Sequence, residues 1–233
     1  MRIGEEARLS DRRVAAWFAT QRAQARKEKA PRHKPEMQPV ITISRQFSVG
    51  SMSIAQRLAD SLGDGWDVWD KELIEAIASS AQVRSEMVEA LEANALSWMD
   101  QMTRNLFNVP VLEAVTYRHH LALVLLALAQ QGCKVIVGRG ANFALPHALN
   151  VRLEAAREYR VRRTMAHESI GHDEALRQVE RVEKDRHEFI ANVFGRDAQD
   201  RSAYDMVIQV DRLGEEATAA AIVAAVRARF RLA

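Results

Sequence analysis

Cysteine is nearly absent from the 233 residues: Cys133 stands alone, which excludes an internal disulfide and suits a reducing compartment. Aromatics make up 6% and there are ten glycines, so fibrous and low-complexity classes fall away. Long apolar runs are missing as well. The most apolar stretch, LALVLLALA from Leu121 to Ala129, falls short of the ~20 residues a bilayer span needs and predicts a buried helix. The opening MRIGEEARLSDRR has no apolar centre and does not read as a secretory signal, so a cytoplasmic location and no membrane partner are expected. Zinc spacing is lacking, since His167 and His172 in HESIGH lie five apart where ligands on one helix face need four. No Ser/His/Asp order suggests a nucleophile, and Cys133, at a strand start, is expected buried. Metal-centre and nucleophile chemistry are set aside.

Charge of one sign is also scarce in the body. The chain carries +2 overall, but residues 1–36 hold +5 and the remainder −3. A nucleic-acid partner is not expected, because that needs a basic body and only the N-terminal arm is basic. What is present is 48% hydrophobic and 27% charged sequence, enough for one substantial core.

The arm, residues 1–38, reads as a basic helix followed by a linker. Ser10 or Asp11 caps LSDRRVAAWFATQRAQARKEKA, and Pro31, Pro35 and Pro39 block regular structure after it. From 39 to 233 strands and helices alternate. VITIS is a compact β-branched run fit for a buried parallel strand. Ile54, Leu58 and Leu62 line the next helix, which Gly63 ends. WDVWD, KVIVG, NVRLEA and YDMVIQV supply further strands. Ser85 opens a long helix holding Met87, Val88, Leu91, Met99, Met102 and Leu106, while Pro110 and Gly132 bracket the apolar helix. A charged helical region from Arg157 to Gly195 breaks near ESIGHDE, and Glu215 to Phe230 closes the chain. This alternation predicts an α/β sandwich around a mostly parallel sheet, with ligands at the strand carboxyl ends.

Two loops fall there, SRQFSVGS and GRGA. Converging backbone N–H groups at a helix start make a phosphate cradle, and small residues let the anion approach. Ser48, Gly50, Ser51 and Ser53 supply that smallness, with Arg45 as the cation inside the loop. Gly50 takes the place of the last glycine in G-x-x-x-x-G-K-[ST], but Ser51 stands where the lysine belongs and Ser44 replaces the first glycine. The pattern alone matches weakly.

The segments ITISRQF, IAQRLADSLG, WDKELIEAIA, VIVGRGANFAL, VRLEAAREYRVRR, DRHEFIANVFG and YDMVIQVDRL, in this order, resemble the cytidylate kinase-like family of P-loop proteins over roughly Pro39 to Phe230. The resemblance implies a P-loop NTPase-type three-layer sandwich with a helical lid at about 157–195. It implies transfer of the ATP γ-phosphoryl group to a nucleoside monophosphate, CMP first, with Mg2+ accompanying ATP. Relatives typically show S-R-Q-F-G-S-G-G-R; here Ser48 and Ser51 replace glycines, Val49 a serine and Met52 the arginine. A cation is therefore lost even by family standards, and transfer should suffer more than binding.

On the same resemblance Arg45, Gln46, Ser48, Gly50, Ser51 and Ser53 would hold the donor phosphates, with Ser53 touching magnesium. Arg139 would fork onto the acceptor phosphate. Arg160, Arg163 and Arg186 would clamp the transfer from the lid, whereas Arg157, Arg162 and Arg177 belong to a solvated, salt-bridged face. Asp70 and Lys71 would line the acceptor pocket, although Asp70 equally suits the cap of the helix that starts there. No acid follows KVIVG, where many P-loop proteins hold a magnesium water. Two rivals stay open: a catalytically idle nucleotide-binding or regulatory protein, and a kinase of another small acceptor. The helix from Met87 to Met102 leaves room for a homodimer.

Overall fold

The computed structural model describes residues 38–74 and 117–232. The arm, the long helix from Ser85 and the start at Pro110 lie outside the described residues. Five β-branched runs form the sheet: β1 (Val40–Arg45), β2 (Asp67–Trp69), β3 (Lys134–Val137), β4 (Leu149–Glu154) and β5 (Met206–Gln209). Their order is β2-β3-β1-β4-β5 and every pairing is parallel, with Ile41 opposite both Val135 and Leu149. Parallel neighbours require crossovers, and helices supply them on both faces.

Alternation along the strands divides the core. Ile41, Ile43, Val135 and Val151 meet α1 (Ser51–Leu62) and, near the chain end, the helix Glu215–Phe230 on one face. Val40 and Ile136 meet α2 (Tyr117–Gln131), α3 (Ala141–Ala144) and the last turns of the long helix His172–Phe194 on the other. Ile54 and Leu58 of α1 are fully buried, worth about 1.5–3 kcal/mol each in apolar burial. Gly63 ends α1 as the sequence predicts, its N–H donating to the Ala59 carbonyl.

The charged region forms a hairpin, α4 (Arg157–Glu168) and α5 (His172–Phe194). Val161, Ala175 and Val179 make its own small core. A short α6 (Val210–Leu213) precedes α7 (Glu215–Phe230), which carries Glu215 and Glu216 in its first turn and Arg227 and Arg229 in its last, matching the helix dipole at both ends. Cys133 is half-buried rather than buried, because it leaves α2 through a left-handed turn (φ 52°) before β3 pulls the chain inward. Among the described residues, no helix is long and apolar enough to cross a membrane.

The second face of the sheet carries a polar stripe between β1 and β4. Thr42 Oγ1 donates to Asn150 Oδ1 at 2.5 Å, and Ser44 Oγ lies 3.2 Å from both Tyr204 OH and Arg152 Nη1. Polar groups buried this way are tolerated because they satisfy one another. The stripe leads to the carboxyl end of β1.

Candidate functional site

β1 is the central strand, so the loop after it opens between the ends of β3 and β4. Two ties fix its first turn: Gln46 N–H donates to the Leu153 carbonyl at 3.0 Å, and Gln46 Oε1 accepts Ala155 N–H at 2.9 Å. Val49, 1% exposed, is nailed into the core. On either side of it Ser48 (φ 62°) and Gly50 (φ 80°) are left-handed. Alternation of this sort turns successive N–H groups toward one concavity. Ser48 carries the strain of about 1 kcal/mol that an L-residue meets there. At Gly50 the left-handed backbone disfavours a side chain, and a Cβ would also push aside the ends of Arg163, whose Nη2 would lie 2.8 Å away, and Glu215. α1 then starts without a side-chain cap and without an acid in its first turn.

Met52 is exposed, and Phe47 packs against the small core of the α4–α5 hairpin. Two carboxylates lie beside the loop. Phe47 N–H donates to Oε1 of Glu183, and Glu215 pairs with Arg163 at 2.7 Å beside Gly50.

On the β3 side the turn Gly138-Arg139-Gly140 is left-handed at all three residues (φ 88°, 54° and 65°). Gly138 leaves room for the Arg45 guanidinium, whose carbon would lie 2.9 Å from a Cβ there, while Gly140 makes room for the Phe194 ring. Arg139 lies 4.4 Å over the Phe189 ring. Arg186 lies 5.6 Å over Phe47, and its Nη1 donates to the Arg45 carbonyl at 3.2 Å. These cations crowd one another. Burial first, then the charges of Arg186 and Arg139, push the Arg45 guanidinium down to about 9 against the opposing pull of Glu72 and Glu183. Burial also lowers Arg186, Glu183 works against this, and Arg152, Arg139 and Arg160 add to the lowering. Like charges held this close repel one another, and an anion placed among them would relieve the repulsion.

The β4 side is organised differently. Arg152 is 4% exposed, yet its Nε meets Glu154 at 2.9 Å and its guanidinium lies 5.6 Å over Tyr204. Glu154 also accepts from Arg201 at 2.8 Å. Burial raises the Glu154 carboxyl, but the hydrogen bond and charge of Arg152, then Arg201, outweigh this and hold it below the usual carboxylate range. Arg160 donates to the Ala155 carbonyl at 3.2 Å and lies 3.4 Å from Glu183. Arg152, Arg160, Gln46 and Glu183 line a cleft of about 700 Å³ between β4 and the hairpin.

The structure thus gathers Arg45, Arg139, Arg160, Arg163 and Arg186 around the loop that holds Gln46, Ser48, Gly50 and Ser51. Arg160 and Arg163 are one turn apart but serve different ends: Arg160 reaches Glu183, Arg163 reaches Glu215. Ser53 is exposed on α1. Asp70 Oδ1 accepts Leu73 N–H at 2.9 Å, so of its two readings the helix cap is the one observed; Lys71 is half-buried beside it. Arg157 is exposed and pairs with Glu180, and Arg162 and Arg177 are exposed, the solvated face expected of them. Among the described residues no group of His, Cys, Asp or Glu is arranged to hold a metal. Sequence reasoning missed Arg152, Glu154, Glu183 and Glu215. A buried-strand arginine flanked by Val151 and Leu153 was the available signal for the first two, because such a charge must be paired.

A family model described as the cytidylate kinase-like family matches residues 40–212. A cytidylate kinase from Thermococcus sibiricus is 34% identical over 100 residues, 42% of this chain and 52% of that protein, so the match spans about half the length of this curated relative. An uncharacterized protein from Eubacterium ventriosum superimposes with a TM-score of 0.63 at 20% identity, covering 82% of this chain and 99% of the other, which shows a shared fold. The strand order, the loop after the central strand and the extent of the family match agree: the chain is a P-loop-type α/β protein and belongs to the cytidylate kinase-like family.

Proposed function

We propose that the protein transfers the γ-phosphoryl group of ATP to a nucleoside monophosphate, CMP being the first candidate. The observation that carries this reading is the gathering of arginines at the loop mouth: Arg186 Nη1 sits 3.2 Å from the Arg45 carbonyl, the Arg45 guanidinium packs on Gly138, and Arg139 follows in the same turn. Phosphoryl transfer needs positioning and charge neutralisation more than covalent chemistry, and the site offers both. The donor triphosphate lies along Ser48 to Ser51, with loop amides on its oxygens. Arg139, in its constrained turn, forks onto the acceptor phosphate. The α4–α5 hairpin acts as the lid, bringing Arg160, Arg163 and Arg186 over the transferring group and excluding water.

The Ser53 hydroxyl would hold a Mg2+ brought with ATP, which would supply charge to offset the phosphates. Asp70 caps its helix through Oδ1, and its carboxylate with Lys71 lines the acceptor side in this reading. The protein is read as working in the cytoplasm, with residues 1–38 as a separate basic arm. The test is ADP release from Mg·ATP, expected only when a monophosphate is added and lost in Arg139→Ala. No turnover with any common monophosphate would remove the enzyme reading.

One observation favours a second reading. The loop lacks its lysine and a carboxylate from Glu183 occupies its first free amide, as in a protein that senses a nucleotide without turning it over. Thermal stabilisation by ATP or CMP without ADP release would select it.

A further inference from the structure

We infer that Glu183 is an internal counter-ion that competes with incoming phosphate for the loop and thereby sets which anions the loop accepts. Its carboxylate does what a phosphate oxygen would do there. It accepts Phe47 N–H, lies 3.4 Å from Arg160 Nη1, and offsets the charge of Arg186 and, after Glu72, of Arg45. Its side chain is mostly buried, at 17% exposure, so the contact is built into the fold rather than made by a loose surface acid.

Glu183 also sits one turn before Arg186 on α5, and Arg186 holds the Arg45 carbonyl. The two residues therefore straddle the start of the loop from one helix face. An anion entering the concavity must displace the carboxylate. Displacement releases Phe47 N–H and Arg160 together, and both can then turn to the ligand. A weakly charged anion gains little over the carboxylate already in place. A triphosphate brings several charges and displaces it. Glu183 thus lowers affinity for every anion but penalises singly charged ones most.

This inference rests on the loop being a phosphate site. Tripolyphosphate, which has no base or sugar, is the probe, titrated calorimetrically into the full chain and its variants. Glu183→Gln should bind it ~10-fold or more tightly than wild type, because a neutral amide neither repels the ligand nor holds Phe47 N–H as strongly. Inorganic phosphate should gain by a larger factor. Glu180→Gln, which alters an exposed carboxylate paired with Arg157 on the same helix, should bind within a few-fold of wild type. If Glu183→Gln does not fold, Glu183→Asp, which keeps the charge but is one methylene too short to hold Phe47 N–H as well, should show a smaller tightening in the same direction. Equal or weaker tripolyphosphate binding by a folded Glu183 variant overturns the inference while wild-type binding leaves the loop reading intact. Weaker CMP binding with unchanged tripolyphosphate binding also overturns it, placing Glu183 on the nucleoside instead. Tightening without any ADP release keeps this inference and removes the phosphotransfer reading. No tripolyphosphate binding by any variant overturns both.

Discussion

The two flanks of the loop handle arginine in opposite ways. Toward β4, Arg152 meets Glu154, Arg201 meets Glu154 and Arg160 meets Glu183. Toward β3, Arg139 and Arg186 rest on the rings of Phe189 and Phe47, and Arg45 is packed on Gly138. A carboxylate partner settles a buried guanidinium; an aromatic face fixes its position. The β4 flank is thereby a structural brace, and the β3 flank is the one that the proposed function assigns to an incoming anion. Glu183 stands between them and serves both.

The comparison breaks most visibly on the brace. Glu154→Gln leaves Arg152 and Arg201 without their acid and should cost about 3 kcal/mol in denaturant unfolding. The sign with pH follows from the lowered folded-state pKa of Glu154. Its contribution is present above the unfolded carboxylate pKa and is lost as pH falls through the lowered value, so the variant should show a flatter loss of stability in acid. The receptor flank should respond in function instead. Arg139→Ala is expected to reduce acceptor-dependent ADP release by ~100-fold or more, with unfolding midpoints nearly unchanged.

Arg45→Met sharpens the contrast. It removes a buried cation that its neighbours repel, so the unliganded protein should gain about 1 kcal/mol, some 2–4 °C in Tm. Stabilisation by added ATP should shrink in the same variant. A loss of unliganded stability would show that Arg45 is a brace like Arg152. Ser48→Gly has the smallest expected effect, a gain of about 0.5 kcal/mol as left-handed strain is relieved and partly offset by glycine's extra unfolded-state entropy. A destabilised Ser48→Gly would mean that the hydroxyl is holding the loop.

The parts of the fold legible in the sequence were those set by local chemistry. VITIS and KVIV are β-branched runs with nowhere to go but a buried parallel strand, Gly63 could only end a helix, and the acid-to-base polarity of Glu215 to Phe230 fixed its span. The loop and Arg139 were legible because small residues and flanking glycines announce close backbone approach. The ordered family resemblance turned that weak pattern into a fold, which the family match bears out. Glu183 was not legible, because its contact with Phe47 spans 136 positions and depends on how the hairpin lies over the sheet. Asp70 was ambiguous for a different reason. A carboxylate one residue before a helix serves as cap or as ligand with the same sequence, and the Leu73 N–H distance shows the cap.

The central claim is that amides from Phe47 to Ser53 receive a nucleotide's phosphates. Hydrogen exchange at those amides, measured with and without Mg·ATP, addresses it most directly. Slower exchange across residues 47–53 in the presence of Mg·ATP is the predicted result, and unchanged exchange at saturating Mg·ATP would contradict it.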